Sequence, residues 1–215
     1  MFDAFLSDRA SRTGRPFVPF DPDADYRTFV DGKPRADGTR AFLRSRGVEL
    51  PAGGPDDPPE ADTVTGLGNR KNVVVLRRIE RDGVQTFPGS VDYVRAIRAG
   101  GLRTAVVSSS ANTRSVLIAA GIEGLFDVRI DAGVAAARAL AGKPASDTFL
   151  AGAADLGVAA DQAAVFEDAL AGVQAGRAGG FGFVVGVDRT GQAASLRAAG
   201  ADVVVSDLSE LVATR

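Results

Sequence analysis

The chain has 215 residues, a net charge of −2 and an ordinary globular composition, with 45% hydrophobic and 24% charged residues, so it offers no basic field for nucleic acid or anionic membranes. It contains neither Cys nor His, which excludes disulfides, thiolate nucleophiles, Ser-His-Asp triads and Cys/His zinc sites. Any chemistry must therefore use carboxylates, hydroxyls, Lys, Arg and backbone amides, and any metal should be a hard cation held by oxygen ligands.

The first half of the chain is polar and predicts helices. It begins MFDAFLSDRASR, without the apolar region of a signal peptide, and no apolar run reaches the roughly 18–20 residues that span a bilayer. We therefore expect a soluble, cytoplasmic protein that contacts no membrane. Helices are predicted over 2–10, 23–30, 36–46 and 61–81. The segment PAGGPDDPPE (51–60) predicts a loop, and no strand is predicted here.

The second half alternates short apolar runs with helical stretches. Buried parallel strands are predicted over 104–108, 163–167, 182–187 and 202–206. Helices are predicted over 89–99, 111–120, 146–157, 169–178 and 191–199, with glycines such as Gly121 where helices should end. This alternation indicates an α/β fold with a doubly wound, Rossmann-like parallel sheet.

Polar residues follow two of these strands and precede one helix. Ser108-Ser109-Ser110 and Asn112 follow the first strand, Glu167-Asp168 ends the second, and Lys143 lies in the loop before helix 146–157. Singly, the serines or the carboxylates could cap helices, and Lys143 could be a solvated loop residue. Together they supply a hydroxyl at a helix N-terminus, a cation and a carboxylate pair for Mg²⁺, which a phosphoryl-transfer site requires.

Three segments carry a family resemblance. VVSSSAN (106–112), GKPASDTF (142–149) and VFEDALAGVQAGRAGG (165–180) resemble, in order, the second, third and fourth motifs of the haloacid dehalogenase superfamily, and the last is similar to its β-phosphoglucomutase-like subfamily. The resemblance implies that Ser108 and Lys143 are catalytic residues that bind the phosphoryl group. It also implies that Glu167 and Asp168 bind Mg²⁺, with Asp168 the direct ligand.

The resemblance also divides the chain into a helical cap, residues 1–83, and a core, residues 84–215. VDGKPRADG (30–38) and NRKN (69–72) resemble cap segments, which implies that Arg35 grips a distal phosphate and that Lys71 lies near the sugar. The alternative is that both are exposed cations at helix ends. Ser110 and Asn112 complete the expected substrate-binding set.

The family's first motif, an apolar strand ending in Asp-x-Asp-Gly, is not found in the sequence. FVPFDPDAD (17–25) is a poor substitute, because Pro19 and Pro22 disfavour a central strand, and Asp21 and Asp23 suit a turn and a helix cap. Met1 already lies in what resembles the first cap helix. We expect that Met1 is an internal codon that was taken as the translation start, and the alternative is a variant that has lost catalysis. We also expect an unpaired slot between the strands that end at Ser108 and Glu167.

The resemblance implies an enzyme of carbohydrate metabolism, a Mg²⁺-dependent phosphotransferase that acts on a small phosphorylated sugar. The first choice is conversion of β-D-glucose 1-phosphate to glucose 6-phosphate through an aspartyl-phosphate. Without the first motif, we expect residues 1–215 alone to be inactive. The alternatives are a sugar-phosphate or phosphoglycolate-type phosphatase, and a non-catalytic sugar-phosphate-binding protein. We expect a monomer.

Overall fold

A computed structural model describes residues 1–14 and 16–212 of the chain. The chain folds as two compact units, Met1–Asp82 and Gly83–Arg215. The break lies one residue before the boundary drawn from the sequence, and the role of the first unit as a cap stays a prediction.

The first unit is built from helices around a cluster of aromatic rings. Its elements are α1 (Phe2–Thr13), a π-helical turn (Tyr26–Val30), α2 (Arg35–Ser45) and α3 (Val64–Asp82). As predicted, its described residues contain no strand, and the loop 51–60 has no regular structure. The rings of Phe2 and Phe42 lie 4.3 Å apart at their centroids and are both buried. Packing of these apolar helix faces therefore stabilises the unit.

The segment 17–25 forms a turn rather than a strand. The Asp21 Oδ1 atom accepts hydrogen bonds from the backbone N–H groups of Asp23 and Ala24, each at 2.8 Å. These bonds lower the pKa of Asp21, because they stabilise its charged form. The predicted turn at Asp21 is thus confirmed.

The second unit alternates strands and helices. Its regular elements, in chain order, are α4 (Pro88–Ala99), β1 (Ala105–Val107), α5 (Thr113–Ala119), β2 (Val128–Ile130), α6 (Ala132–Ala137), α7 (Asp147–Asp155), β3 (Ala164–Glu167), α8 (Leu170–Ala178), β4 (Phe183–Val187), α9 (Ala193–Ala198) and β5 (Val203–Val205). All four predicted strands and all five predicted helices are present. Glycines end helices where expected: Gly100 follows α4, and Gly121, after α5, has φ +68°.

Two elements, β2 and α6, are absent from the sequence prediction. The strand β2 has only three residues, and Arg129 at its centre interrupts the apolar pattern on which the prediction depends. Its place is decided by pairing with β1, in which Val106 lies opposite Arg129. Helix α6 is a short alanine-rich turn that begins after Asp131, whose Oδ1 accepts the N–H of Val134 at 3.0 Å.

The five strands form two separate parallel sheets. One contains β1 and β2, and the other has the order β3-β4-β5. Within the residues that the structure describes, β1 therefore has a strand partner on one side only, and so does β3. As predicted, no backbone hydrogen bonds join the strand that precedes Ser108 to the strand that ends at Glu167 in the described residues, and a slot wide enough for a strand between them stays a prediction.

One hydrophobic core nevertheless includes both sheets. Val107 of β1 packs against the cluster that holds Val165 of β3 and Phe149 of α7. Helix α7 lies close to β1: a Cβ atom added at Gly152 would be only 3.2 Å from the Val107 side chain. All three residues of β1 are only half-buried, although Val184–Val187 of the doubly paired β4 are buried. The half-burial of β1 agrees with its having a strand partner on one edge only within the described residues.

Among residues 1–14 and 16–212, no helix combines the length and the apolar character that crossing a membrane would require.

The slot predicts uneven protection of backbone amides. Amides on the open edges of β1 and β3 lack a strand partner, so we expect roughly tenfold faster hydrogen exchange there than in β4. Hydrogen–deuterium exchange mass spectrometry of peptides covering 104–108, 163–167 and 183–187 measures this directly. Equal protection of the three segments would contradict the two-sheet topology.

Candidate active site

The three serines after β1 form a compact hydrogen-bonded turn. The N–H of Ser108 donates to the carbonyl of Ile130 in the β2 strand at 2.9 Å. The Ser108 Oγ accepts the N–H of Ser110 at 3.2 Å, and the Ser110 Oγ accepts the N–H of Asn112 at 3.1 Å. Asn112 is buried at the residue before α5. The structure thus brings Ser108, Ser110 and Asn112 together at the carboxyl end of β1, where ligands bind in open parallel sheets.

Lys143 forms a buried ion pair with Glu167. The distance from Lys143 Nζ to Glu167 Oε2 is 2.8 Å, and the two side chains are 6% and 10% exposed. The Lys143 ammonium also lies 4.6 Å from the centroid of the Phe149 ring. The sequence alternative of a solvated Lys143 is therefore wrong. A buried lysine on the loop before α7 is instead held beside the end of β3.

Glu167 was expected to be a metal ligand, but its carboxylate is bound to Lys143. Burial raises the pKa of Glu167, and the negative charge of Asp168 adds to this, whereas the Lys143 ammonium opposes it. The side chain packs against Gly172, where an added Cβ would lie 2.1 Å from the Glu167 Cδ atom. Gly172 therefore provides the space that lets Glu167 point toward Lys143. Its role as a metal ligand stays a prediction.

Asp168 is exposed, and within the described residues its carboxylate has no hydrogen-bond or ion-pair partner. It does not cap α8, whose preceding residue is Ala169 and which has no side-chain cap. In residues 1–14 and 16–212, no group of three or more His, Cys, Asp or Glu side chains is arranged so that it could hold a metal ion by itself. Mg²⁺ is commonly held by one or two carboxylates, with substrate phosphate and water completing its coordination shell. The carboxylate of Asp168, which is unpaired within the described residues, is therefore suited to bind this ion. Glu167 could bind it only by giving up its ion pair with Lys143.

The other aspartates that follow strands bind backbone groups or arginine. Asp131 accepts the N–H of Val134, and Asp188 accepts the N–H groups of Gln192 and Ala193 at 2.8 and 3.0 Å. Asp207 accepts from Ser209 and Arg189, which lowers its pKa to about 2. Each of these carboxylates stabilises a turn or a short helix. Among the described strand ends, Asp168 is thus the aspartate left available for a ligand.

Two side chains near the site were missed from the sequence. Phe149, which lies under Lys143, could only be interpreted as a core residue of α7. Gln192 donates from Nε2 to the backbone carbonyl of Asp168 at 2.9 Å. It lies 24 residues from Asp168 and belongs to none of the recognised motifs, so no sequence signal identified it.

Arg35 and Lys71 form a second cationic group, in the first unit. The Arg35 Nη2 donates to Asn72 Oδ1 at 2.9 Å. Burial lowers the pKa of both cations, and the charge of Arg35 lowers the pKa of Lys71 further. Neither has a carboxylate partner in the described part of the chain. Both are half-buried, which disfavours the alternative of fully exposed cations, and their mutual repulsion suits the binding of an anion.

The ion pair predicts a pH-dependent effect of Lys143→Met. Without the ammonium, the pKa of buried Glu167 should rise further. Below the ordinary pKa of glutamate, the carboxyl is protonated in both the folded and unfolded states and the cost is small. Between that value and the raised folded-state pKa, folding must retain a proton that the unfolded chain has lost, so stability falls as pH rises. Above the raised pKa the folded state buries an unpaired charge, and the loss is complete. We expect a loss of about 3 kcal/mol in the free energy of unfolding at pH 7.5.

Urea unfolding at about pH 3.5 and at pH 7.5 measures this loss. The double variant Lys143→Met/Glu167→Gln is the control, since it removes the buried charge and should recover most of the stability. An equal loss at both pH values would mean that packing of the lysine, rather than its charge, is what matters.

Comparisons with known proteins identify the family of this chain. A family model described as haloacid dehalogenase-like hydrolase matches residues 12–180. The chain is 58% identical over 215 residues to a protein of Mycobacterium bovis named β-phosphoglucomutase, covering 99% of this chain and 82% of that protein. It is 37% identical over 127 residues to a trehalose-phosphate phosphatase of Mycobacterium leprae, covering 57% of this chain and 28% of that protein.

A solved structure supports the same fold. The structure of β-phosphoglucomutase from Clostridium difficile matches with a TM-score of 0.74 and 24% identity, covering 98% of this chain and 87% of that chain. The match to the family model spans most of the chain, and the identity to the mycobacterial relative extends over nearly all of it. The chain therefore belongs to the haloacid dehalogenase-like hydrolase family, in its β-phosphoglucomutase-like subfamily.

Proposed function

We propose that this chain forms the cap and most of the core of a β-phosphoglucomutase, which converts β-D-glucose 1-phosphate to glucose 6-phosphate through an aspartyl-phosphate. The observation that carries the proposal is the presence of two separate cationic groups. Lys143 is beside the strand ends of the second unit, and Arg35 and Lys71 lie in the first unit without a carboxylate partner in the described residues. A mutase must bind a sugar bisphosphate intermediate, and therefore needs cations for two phosphates.

In this proposal the second unit binds the phosphoryl group that is transferred. The Ser108 hydroxyl donates to a phosphoryl oxygen, and Lys143 provides positive charge against the charge that develops there. Asp168, with Glu167 next to it, would hold Mg²⁺. When bound, that ion neutralises phosphoryl oxygens and helps to orient them. Ser110 and Asn112 contact the substrate, which remains a small phosphorylated sugar. We further propose that the protein is a cytoplasmic monomer.

Arg35 and Lys71 bind the second phosphate. Guanidinium groups bind phosphate in a bidentate fashion, and an ammonium adds a compact charge that rotates freely. Burial lowers the pKa of both cations, and the charge of Arg35 lowers the pKa of Lys71 further, so an incoming dianion relieves a cost that the free protein already carries. A phosphatase that releases inorganic phosphate has less need of this second group. The identity to a trehalose-phosphate phosphatase over part of the chain makes that class the second candidate.

The nucleophile of the proposed reaction is not among the described residues. Attack on phosphorus requires an available aspartate at the end of a central strand. Asp131, Asp188 and Asp207 are all engaged in caps and arginine contacts, and Asp168 is assigned to the metal. We propose that the nucleophile belongs to a strand that fits the slot between β1 and β3.

The proposal predicts that residues 1–215 by themselves do not turn over β-glucose 1-phosphate. Loss of a covalent nucleophile removes several orders of magnitude of rate, so we expect at least roughly 10³-fold less activity than in a version extended at its N-terminus by an apolar strand ending in Asp-x-Asp-Gly. Both proteins are assayed with Mg²⁺ and a sugar bisphosphate primer. Release of inorganic phosphate by the extended version, without glucose 6-phosphate, would favour the phosphatase.

The control for this assay is Lys143→Ala in both proteins. Robust turnover by residues 1–215 that is abolished by Lys143→Ala would place the nucleophile within the chain and overturn the proposal. Asp21 and Asp23 would then be the first residues to substitute.

The bisphosphate assignment predicts a selective binding defect. Arg35→Ala and Lys71→Ala should each raise the Kd for glucose 1,6-bisphosphate roughly tenfold or more, since a charge-assisted hydrogen bond contributes about 1.5–3 kcal/mol. Isothermal titration calorimetry measures this, with Arg44→Ala as the matched control, because Arg44 is an exposed arginine in the same helix α2. Unchanged bisphosphate affinity in both variants would remove the mutase argument and leave the phosphatase.

A further inference from the structure

The loop after β4 holds the loop after β3 through one side chain, Gln192. Its Nε2 atom donates to the backbone carbonyl of Asp168 at 2.9 Å. The strands β3 and β4 are adjacent and parallel, with Glu167 opposite Gly186, so their following loops start at the same edge of the sheet. The bond from Gln192 is therefore a bridge between two neighbouring loops, and it ends on the backbone of the residue proposed to bind Mg²⁺.

Gln192 is itself held in place by Asp188. The Asp188 carboxylate accepts the N–H groups of Thr190, Gln192 and Ala193, at 3.2, 2.8 and 3.0 Å. Gly191, between two of these donors, has φ +77°, which a residue with a side chain rarely adopts. This turn fixes the direction in which the Gln192 side chain leaves the backbone.

The helix that follows Gln192 packs on the core of the second unit. Helix α9 begins at the next residue, and its Leu196 is fully buried. Leu196 packs on β4, where an added Cβ at Gly186 would lie 3.2 Å from the Leu196 Cβ. The amide of Gln192 is therefore attached to the core of the second unit rather than to a free loop.

Asp168 has little other support. Its side chain is exposed, and it has no hydrogen-bond partner among the residues that the structure describes. The following residue, Ala169, is buried, but its N–H bond to Glu167 Oε1 is long, at 3.4 Å. The direction of the Asp168 carboxylate thus depends on its backbone, and the bond from Gln192 is a direct restraint on that backbone.

We propose that Gln192 is a positioning residue for Asp168, which orients the Asp168 carboxylate toward a divalent cation by holding its backbone carbonyl. The inference rests on the proposed role of Asp168 in binding Mg²⁺. Groups that orient metal ligands from behind commonly affect affinity by 10–100-fold when they are removed. Gln192 contributes no oxygen to the cation itself in this scheme, and acts through the backbone of Asp168.

The test compares Gln192→Met with the unsubstituted full chain. Methionine keeps the length of the side chain but cannot donate a hydrogen bond. Gln174→Met is the matched control, because Gln174 is an exposed glutamine on the neighbouring helix α8. Mn²⁺ is the probe, since it prefers oxygen ligands like Mg²⁺ and its free concentration is read by electron paramagnetic resonance.

We expect Gln192→Met to raise the Kd for Mn²⁺ roughly tenfold, with Gln174→Met unchanged. The urea unfolding midpoints of both variants should match that of the unsubstituted chain. Hydrogen exchange in a peptide that contains 168–170 should become faster in Gln192→Met only. Unchanged unfolding midpoints together with faster local exchange separate a loss of Asp168 positioning from a general loss of stability.

Two outcomes overturn the inference, and they differ in what else they overturn. Equal Mn²⁺ affinity in Gln192→Met and the unsubstituted chain shows that Gln192 does not position the ligand, and leaves the proposed metal site standing. Failure of the unsubstituted chain, and of both variants, to bind Mn²⁺ at millimolar concentration in the presence of inorganic phosphate removes the metal role of Asp168, and with it the role of Gln192.

Discussion

The buried ion pair between Lys143 and Glu167 is the interaction on which the site depends. Its two groups come from different parts of the second unit, the loop before α7 and the end of β3, and meet at 2.8 Å with almost no exposure to solvent. Removing either charge leaves the other desolvated and unpaired, which is far more costly than breaking a surface ion pair. The pair therefore constrains where α7 can lie relative to β3. Phe149 and Gly172 contribute the ring and the space that this arrangement needs.

The ion pair lies at the end of β3, beside the slot that we propose between β1 and β3. The two sheets exchange no backbone hydrogen bonds in the described residues, yet they contribute to one core through Val107 and Val165. Within the same unit, the ion pair adds a polar contact between the region before α7 and the β3-β4-β5 sheet. A strand placed in the slot would have Ser108 on one side and Glu167 on the other. Its last residue would then lie among the groups that we propose bind phosphate.

The charges in the two units are arranged differently. In the second unit, Lys143 is neutralised by Glu167, and the carboxylates at the other strand ends stabilise turns. In the first unit, Arg35 and Lys71 have an amide partner in Asn72 but no carboxylate among the described residues. A lysine that is already paired with a carboxylate can bind an incoming anion only by exchanging partners. Cations without a carboxylate partner gain the full electrostatic attraction when the anion binds. This difference supports the proposed roles of Lys143 in the transfer of one phosphate and of Arg35 and Lys71 in holding the other.

The sequence by itself determined the local structure and the chemical class of this protein. Strands such as 182–187 and 202–206 were predicted because runs of valine between turn residues favour a buried strand, and the helix ends followed from Gly100 and Gly121. The short motifs around Ser108, Lys143 and Asp168 indicated the family, and the comparisons with known proteins confirm it. The slot was also predicted, since the sequence has no strand of the first-motif type.

Only the tertiary structure decided which of these groups are bound to each other. Glu167 and Lys143 are 24 residues apart, and their pairing depends on the packing of α7 and α8 rather than on a local pattern. The same is true of Gln192 and Asp168, which meet because β3 and β4 are adjacent in the sheet. The strand β2 was missed for this reason as well: pairing with β1, rather than the propensity of Val128–Ile130, makes it a strand. Contacts of this kind depend on the path of the whole chain, which local preferences along the sequence do not specify.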